Sequence, residues 1–263
     1  MPAPTTTTTT KEPDPVSAPT LDSATRRKWF LREPSPEAAA RLFCLPYSGC
    51  GASMYRKWPR FLGDVEVCPV QLPGRENRLG EEPYATYEEL ADDLAEVLRP
   101  YLNRPFALFG HCGSALPGYE TAVRLAERGY PAPVRLFVSS QVAPHQGPAG
   151  RFLEMTDDEL AEEVAGLIVA LGGKPRPSLV DLSLSILRAD VEANKRYRPA
   201  RPARLSSPIT ALGWSEDGEV EHATMAGWSD CGETTFPVLP GSHYRFRDAP
   251  AELVEVLRGG MGR

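Results

Sequence analysis

One stretch limits the fold more than any other: Phe106-Ala-Leu-Phe-Gly-His-Cys-Gly-Ser-Ala115, running on into Leu116 to Ala126. A short apolar run of strand length ends at Phe109, small or tight-turn residues follow, and a segment with helical spacing begins. The pattern predicts strand, sharp turn, helix. That is the layout of a nucleophile elbow, in which the turn holds a reactive side chain at the end of a parallel sheet. There the backbone N–H of the next residue and the helix N-terminus can stabilise an oxyanion. The usual pattern is G-x-S-x-G; here it reads Gly110-His111-Cys112-Gly113-Ser114. Cys112 takes the serine position, Gly113 supplies the next N–H, and Ser114 replaces the closing glycine with another small residue. A cysteine that merely packs at a strand end is the bland alternative, and the rest of the chain has to decide between the two.

The surrounding sequence is that of a globular α/β protein. With 263 residues, 41% of them hydrophobic, the chain can bury one large core. Residues 25–263 are expected to form one domain with a helical lid inserted at about 144–202. Residues 1–24, with a threonine run and several prolines, are expected to be a disordered tail, having too little apolar surface to offset the entropy of ordering. The net charge of -6 and the lack of a basic tract argue against a nucleic-acid partner. No run approaches the roughly 18 apolar residues of a membrane span and no apolar leader opens the chain, so a cytoplasmic protein is expected, without membrane association. The five cysteines show no regular metal spacing and fit reduced thiols better than a disulfide framework. Cys44, Cys68 and Cys231 read as packing residues, no pattern calls for a metal or organic cofactor, and a monomer is expected.

Strand-length apolar runs recur at Arg41–Leu45, Val65–Val70, Phe106–Phe109, Val134–Val138, Pro208–Leu212 and Phe236–Leu239. Tyr87 to Leu102 carries apolar residues at helical spacing between two of these runs. Such alternation predicts a mostly parallel sheet covered by helices on both faces. From Pro144 to Pro202 the pattern turns helical without an intervening strand. Thr156-Asp-Asp-Glu159 is a capping box for the first of two helices, and the second runs from Leu182 to Tyr197.

Three loops after strands carry further candidates. Pro46-Tyr-Ser-Gly-Cys-Gly-Ala-Ser53 follows the first strand, where small residues let backbone approach a substrate; Ser48 or its neighbour Gly49 is the candidate second oxyanion donor. Gly213-Trp-Ser-Glu-Asp-Gly-Glu219 follows a late strand and holds a carboxylate able to orient an imidazole, Asp217 ahead of Glu216. Gly241-Ser-His-Tyr244 follows the last strand. Of the four histidines only His243 lies in such a loop: His111 is in the elbow, His145 enters the lid region and His222 sits among charges. Nucleophile, acid and base at 112, 217 and 243 follow the chain order of α/β-hydrolases.

From about Arg41 to Leu257 the chain resembles the type II thioesterases that accompany nonribosomal peptide synthetases and polyketide synthases. The resemblance is carried by Phe43 to Ser53, Val70-Gln-Leu-Pro-Gly-Arg-Glu76, Phe106 to His111, Leu187-Arg-Ala-Asp190, Pro208-Ile-Thr-Ala-Leu212 and Gly241-Ser-His243. It implies the α/β-hydrolase fold, with Cys112 on the nucleophile, His243 on the base and Asp217 on the acid. It also implies acyl or aminoacyl substrates held as thioesters on the phosphopantetheine arm of an acyl or peptidyl carrier protein. The family's usual elbow, G-H-S-M-G, is altered here at Cys112, Gly113 and Ser114, and Cys50 replaces a customary glycine.

A cysteine nucleophile reacts as thiolate, a form favoured by a paired imidazole and a helix N-terminus. Its acyl intermediate is itself a thioester and stays activated. Water arriving first gives thioester hydrolysis, the preferred expectation. A second carrier's phosphopantetheine thiol arriving first gives an acyl or aminoacyl transferase, the alternative. A catalytically silent carrier-binding protein is the third reading, opposed by the retention of His243, the acid loop and a nucleophilic residue.

Overall fold

The computed structural model describes residues 24, 27–170 and 172–262, so nearly all of the expected N-terminal tail lies outside the described residues. The sheet contains β1 (Ala40–Cys44), β2 (Phe61–Leu62), β3 (Val65–Pro69), β4 (Phe106–His111), β5 (Arg135–Ser139), β6 (Ile209–Glu216), β7 (Thr234–Thr235) and β8 (Val238–Ser242). Its order is β2-β3-β1-β4-β5-β6-β7, with β8 also pairing β6. All pairings are parallel except that of β2 with β3.

Successive strand residues go to opposite faces, and both faces are dry. Phe43, Leu108, Leu136 and Ile209 pack on one side with α1 (Tyr87–Leu98) and α2 (Ala115–Glu127). Leu42, Phe109, Phe137 and Leu212 pack on the other with Leu253 and Leu257 of α6 (Ala251–Gly260). This two-sided burial is why the strands read as continuous apolar runs. Thr86 caps α1 by accepting the Glu89 N–H.

Between β5 and β6 stand α3 (Asp157–Ala170) and α4 (Pro177–Arg196). The capping box forms as its sequence predicts, Glu159 accepting from the Thr156 N–H and hydroxyl while the Glu159 N–H points back to Thr156 Oγ1. Pro177 opens α4, five residues earlier than periodicity alone suggests, because a proline at the first helical turn forfeits no hydrogen bond. Arg188 of α4 pairs with Asp157 of α3.

Strand ends differ from their sequence readings in ways that matter for the site. Pairing with β5 carries β4 on to His111, with His111 opposite Ser139. The segment Gly213–Glu216, expected in a loop, continues β6 because it pairs with β8 through Gly213↔Val238, Trp214↔Leu239 and Glu216↔Ser242. The last strand is accordingly Val238–Ser242, shifted toward the C-terminus. A short α5 (Trp228–Cys231) precedes β7.

Candidate functional site

Because the strands run parallel, their C-terminal ends share one edge of the sheet, and the loops leaving them meet there. Register fixes which loops touch. Cys44 lies opposite Phe109, so the loop after β1 stands beside the turn after β4. Glu216 opposite Ser242 makes Asp217 and His243 the next residues out, side by side.

The turn after β4 is strained. Cys112 has φ of 53°, a left-handed conformation unusual for a side-chain-bearing residue, which costs on the order of 1–3 kcal/mol. A Cβ at Gly110 would collide with the Ser114 carbonyl, so glycine is required there. Ser114 does more than fit: its Oγ accepts the His111 N–H at 3.0 Å and donates to the His111 carbonyl at 2.9 Å, closing the elbow with a side chain. A single 3-10 turn, Cys112–Ser114, then leads into α2.

Asp217 and His243 are buried together. His243 Nδ1 lies 3.0 Å from both Asp217 carboxylate oxygens. The carboxylate also accepts the Ser140 hydroxyl at 2.6 Å and the backbone N–H groups of Glu219 and Val220 at 2.8 and 3.1 Å. Burial works against its charge, but these donors outweigh burial and hold Asp217 well below the usual carboxylate range. Burial likewise disfavours charge on His243. The hydrogen bond to Asp217 and the nearby Cys112 sulfur overcome it and lift the imidazole from 6.5 to about 9. Glu216, the other carboxylate candidate, is the last residue of β6 and is exposed.

Cys112 is 5% exposed, and its sulfur, a His243 ring nitrogen and a Glu219 carboxylate oxygen all lie within 4.8 Å of one another. His243 Nε2 is buried and makes no hydrogen bond of ordinary geometry; Glu219 Oε2 stands 3.4 Å from it. His111 supports this corner from below. Its ring stacks on Phe246 at 3.9 Å and meets His243 at 4.5 Å, while Nδ1 bonds Ser139 Oγ at 2.9 Å. Burial first, and then the neighbouring His243 charge, push the His111 pKa far down, so it stands beside an imidazolium as a neutral ring.

Of the two loop donors named from sequence, Gly49 must be corrected. Its N–H is spent on Asp190 Oδ2 at 2.8 Å. The same carboxylate takes both ends of the Arg75 guanidinium at 2.9 and 2.8 Å, and Arg75 also donates to the Cys50 carbonyl. Gln71 Oε1 accepts the Ala52 N–H, and Glu76 holds Ser53. The motif residues Gln71, Arg75, Glu76 and Asp190 therefore serve to fix the loop after β1. Ser48 stays beside the elbow: a Cβ built on Gly113 would come within 2.7 Å of its Oγ. Asn194, one turn beyond Asp190 on α4, is a neighbour sequence reasoning missed. Its Nδ2 lies 3.5 Å from the same Cβ position and its buried Oδ1 has no hydrogen-bond partner. Glu219 and Ser140 were missed as well; only the i, i+4 spacing of Asp190 and Asn194 could have hinted at a shared face.

Beside this corner, between the loop after β1 and helices α3 and α4, lies a cavity of about 310 Å³. It is walled mainly by apolar side chains, among them Met54, Phe152, Val164, Leu167, Ile186 and Leu187, with Ser48 and Gly49 also in its wall.

A strained elbow at the end of a parallel sheet, facing an imidazole backed by a buried carboxylate, defines an α/β-hydrolase. The Thioesterase domain family model matches residues 40–259. The chain is 34% identical over 241 residues to the gramicidin S biosynthesis protein GrsT of Aneurinibacillus migulanus, spanning 88% of this chain and 92% of that protein. Among solved structures, the type II thioesterase BorB from the borrelidin biosynthetic cluster aligns with a TM-score of 0.77 and 29% identity, over 89% of this chain and 97% of BorB. The RedJ thioesterase from the prodiginine pathway of Streptomyces coelicolor aligns with a TM-score of 0.73 and 35% identity, over 94% and 97%. The chain belongs to the thioesterase domain family, among relatives that include type II thioesterases of biosynthetic clusters.

Proposed function

We propose that this protein hydrolyses acyl or aminoacyl thioesters held on the phosphopantetheine arm of a carrier protein in nonribosomal peptide or polyketide biosynthesis. Cys112 is the nucleophile, His243 the base and Asp217 the acid. The observation that carries the reading is the meeting of Cys112 and His243 at the strained elbow, with Asp217 bound to the far side of the imidazole. The thiolate attacks the thioester carbonyl, and the oxyanion is received by the backbone N–H groups of Gly113 and Ser48 at the mouth of α2. The C–S bond to the arm breaks, and the His243 imidazolium gives its proton to the departing thiol. A water deprotonated by His243 then attacks the Cys112 thioester and releases the acid. Helices α3 and α4 act as the lid, and the apolar cavity beneath them takes the acyl chain.

Incubation with acyl-loaded carrier followed by intact-mass measurement tests the reading. A mass increase equal to the acyl group, absent in Cys112→Ala, is expected, together with release of free acid. Native protein that neither acquires the adduct nor consumes substrate supports the silent carrier-binding alternative. Acid release only in proportion to an added unloaded carrier, accompanied by acylation of that carrier, moves the function to transfer.

A further inference from the structure

The corner where Cys112, His243 and Glu219 meet is built like a metal site, although no spacing in the sequence suggests one. We propose that it captures a zinc ion, and that zinc seated there switches the enzyme off. The inhibitory half of this proposal rests on the catalytic reading of Cys112 and His243; the capture of zinc does not.

Three donors of the kind zinc prefers, a thiolate sulfur, an imidazole nitrogen and a carboxylate oxygen, lie within 4.8 Å of one another. Tetrahedral zinc with bonds of about 2.0–2.2 Å to N and O needs those atoms roughly 3.3–3.5 Å apart, and Nε2 and Glu219 Oε2 stand 3.4 Å apart. The sulfur has only to close in. His243 is 3% exposed, and its buried Nε2, which makes no hydrogen bond, faces Glu219 Oε2 in the middle of the cluster. Its Nδ1 is already held by Asp217, the carboxylate–histidine relay that turns a ring's other nitrogen toward a metal. Glu219 is prepared in the same way. Oε1 accepts from the Tyr244 hydroxyl at 2.9 Å and is ion-paired with Arg151, whose Nε lies 3.1 Å away, leaving Oε2 as the atom directed at His243.

Occupancy displaces the proton held by the Cys112–His243 pair: the Nε2–H bond of the His243 imidazolium breaks, the proton leaves to solvent, and the neutral ring nitrogen binds beside the Cys112 thiolate. Bonds form from zinc to sulfur, nitrogen and oxygen, with no change of oxidation state. The fourth position stays with water. The charges of thiolate and carboxylate balance those of the ion, so burial of the cluster does not oppose binding. Inhibition follows directly, since zinc takes the sulfur pair that attacks and the nitrogen pair that accepts the proton.

Metal-free full-length protein is titrated with zinc by equilibrium dialysis and, in parallel, with cobalt(II) followed by absorbance, while hydrolysis of an acyl-pantetheine thioester is assayed. One zinc per chain is expected, with a cobalt–thiolate charge-transfer band. Turnover should vanish as the site fills and return on adding a chelator, and magnesium should have no effect. Cys112→Ala should abolish the cobalt–thiolate band. Glu219→Gln should weaken zinc binding about tenfold or more, an effect of the size seen when a metal site loses a supporting group. Cys112→Ser, which keeps the side chain's size, serves where the alanine variant melts abnormally. Zinc binding by native protein no tighter than by the Cys112 variants, or no thiolate band, overturns the site. Full turnover with zinc bound overturns the inhibition. Turnover retained by Cys112→Ala sinks the catalytic reading instead and leaves zinc capture to be judged by dialysis alone.

Discussion

As the proposed nucleophile, Cys112 sets the chemistry apart from that of a serine hydrolase. An acyl-cysteine is as activated as the carrier thioester it came from, whereas an acyl-serine lies further downhill. Cys112→Ser should therefore retain appreciable thioesterase activity if hydrolysis is the native reaction, because the elbow, Gly113 and His243 stay in place. It should lose acylation of an acceptor carrier if transfer is native. Partitioning of product between free acid and acylated acceptor, followed over a range of acceptor concentrations, decides between the two. Asp217→Asn should lower kcat/KM about a hundredfold or more by removing the anion that orients and charges His243, and Glu216→Gln, on an exposed strand end, should stay within about threefold. Steady-state kinetics of both variants checks this, and the opposite ranking transfers the acid role to Glu216. Much at this scale was legible in the sequence, because the elbow, the acid loop and the histidine loop each carry local turn chemistry. Glu219, Asn194 and the engagement of the Gly49 N–H were not. Those contacts join residues brought together only by the finished fold, Gly49 and Asp190 being separated by 141 positions.

Among the elements, the bond between the loop after β1 and helix α4 has the largest energetic consequence. Arg75 is 3% exposed, and among the described residues the carboxylate it pairs with is Asp190. Removing one member of such a buried pair leaves an uncompensated charge, at roughly 3–5 kcal/mol. Asp190→Ala should lower the unfolding free energy by that order in urea titration. It should also reduce turnover, since the Gly49 N–H and the Cys50 carbonyl lose their anchor together. Strand positions were readable because two-sided burial writes continuous apolar runs. The end of β6 was not, because Gly213-Trp-Ser-Glu216 becomes strand only through β8, a partner invisible to local pattern.

For the molecule as a whole, stability should depend on pH through the buried Asp217–His243 pair. His243 in the folded protein sits at about 9, against an ordinary 6.5. The stabilisation is thus fully present below pH 6.5 and lost as pH rises through about 9. Asp217, shifted downward, loses its share only as pH falls into the acid range. The two shifts share the Asp217–His243 ion pair and so are not added; the His243 shift alone corresponds to about 3 kcal/mol. Urea midpoints should fall between pH 6.5 and 9 in the native protein, and much less in His243→Ala. A parallel decline in both would assign the pH dependence to other groups. The parallel sheet also imposes a timetable. The strand that leads into Cys112 lies at 106–111, while the proposed acid and base follow β6 and β8, the later of which ends at 242. On the proposed roles, a growing or clipped chain lacking those two strands carries an ordinary cysteine, and the thiol is made early and armed late.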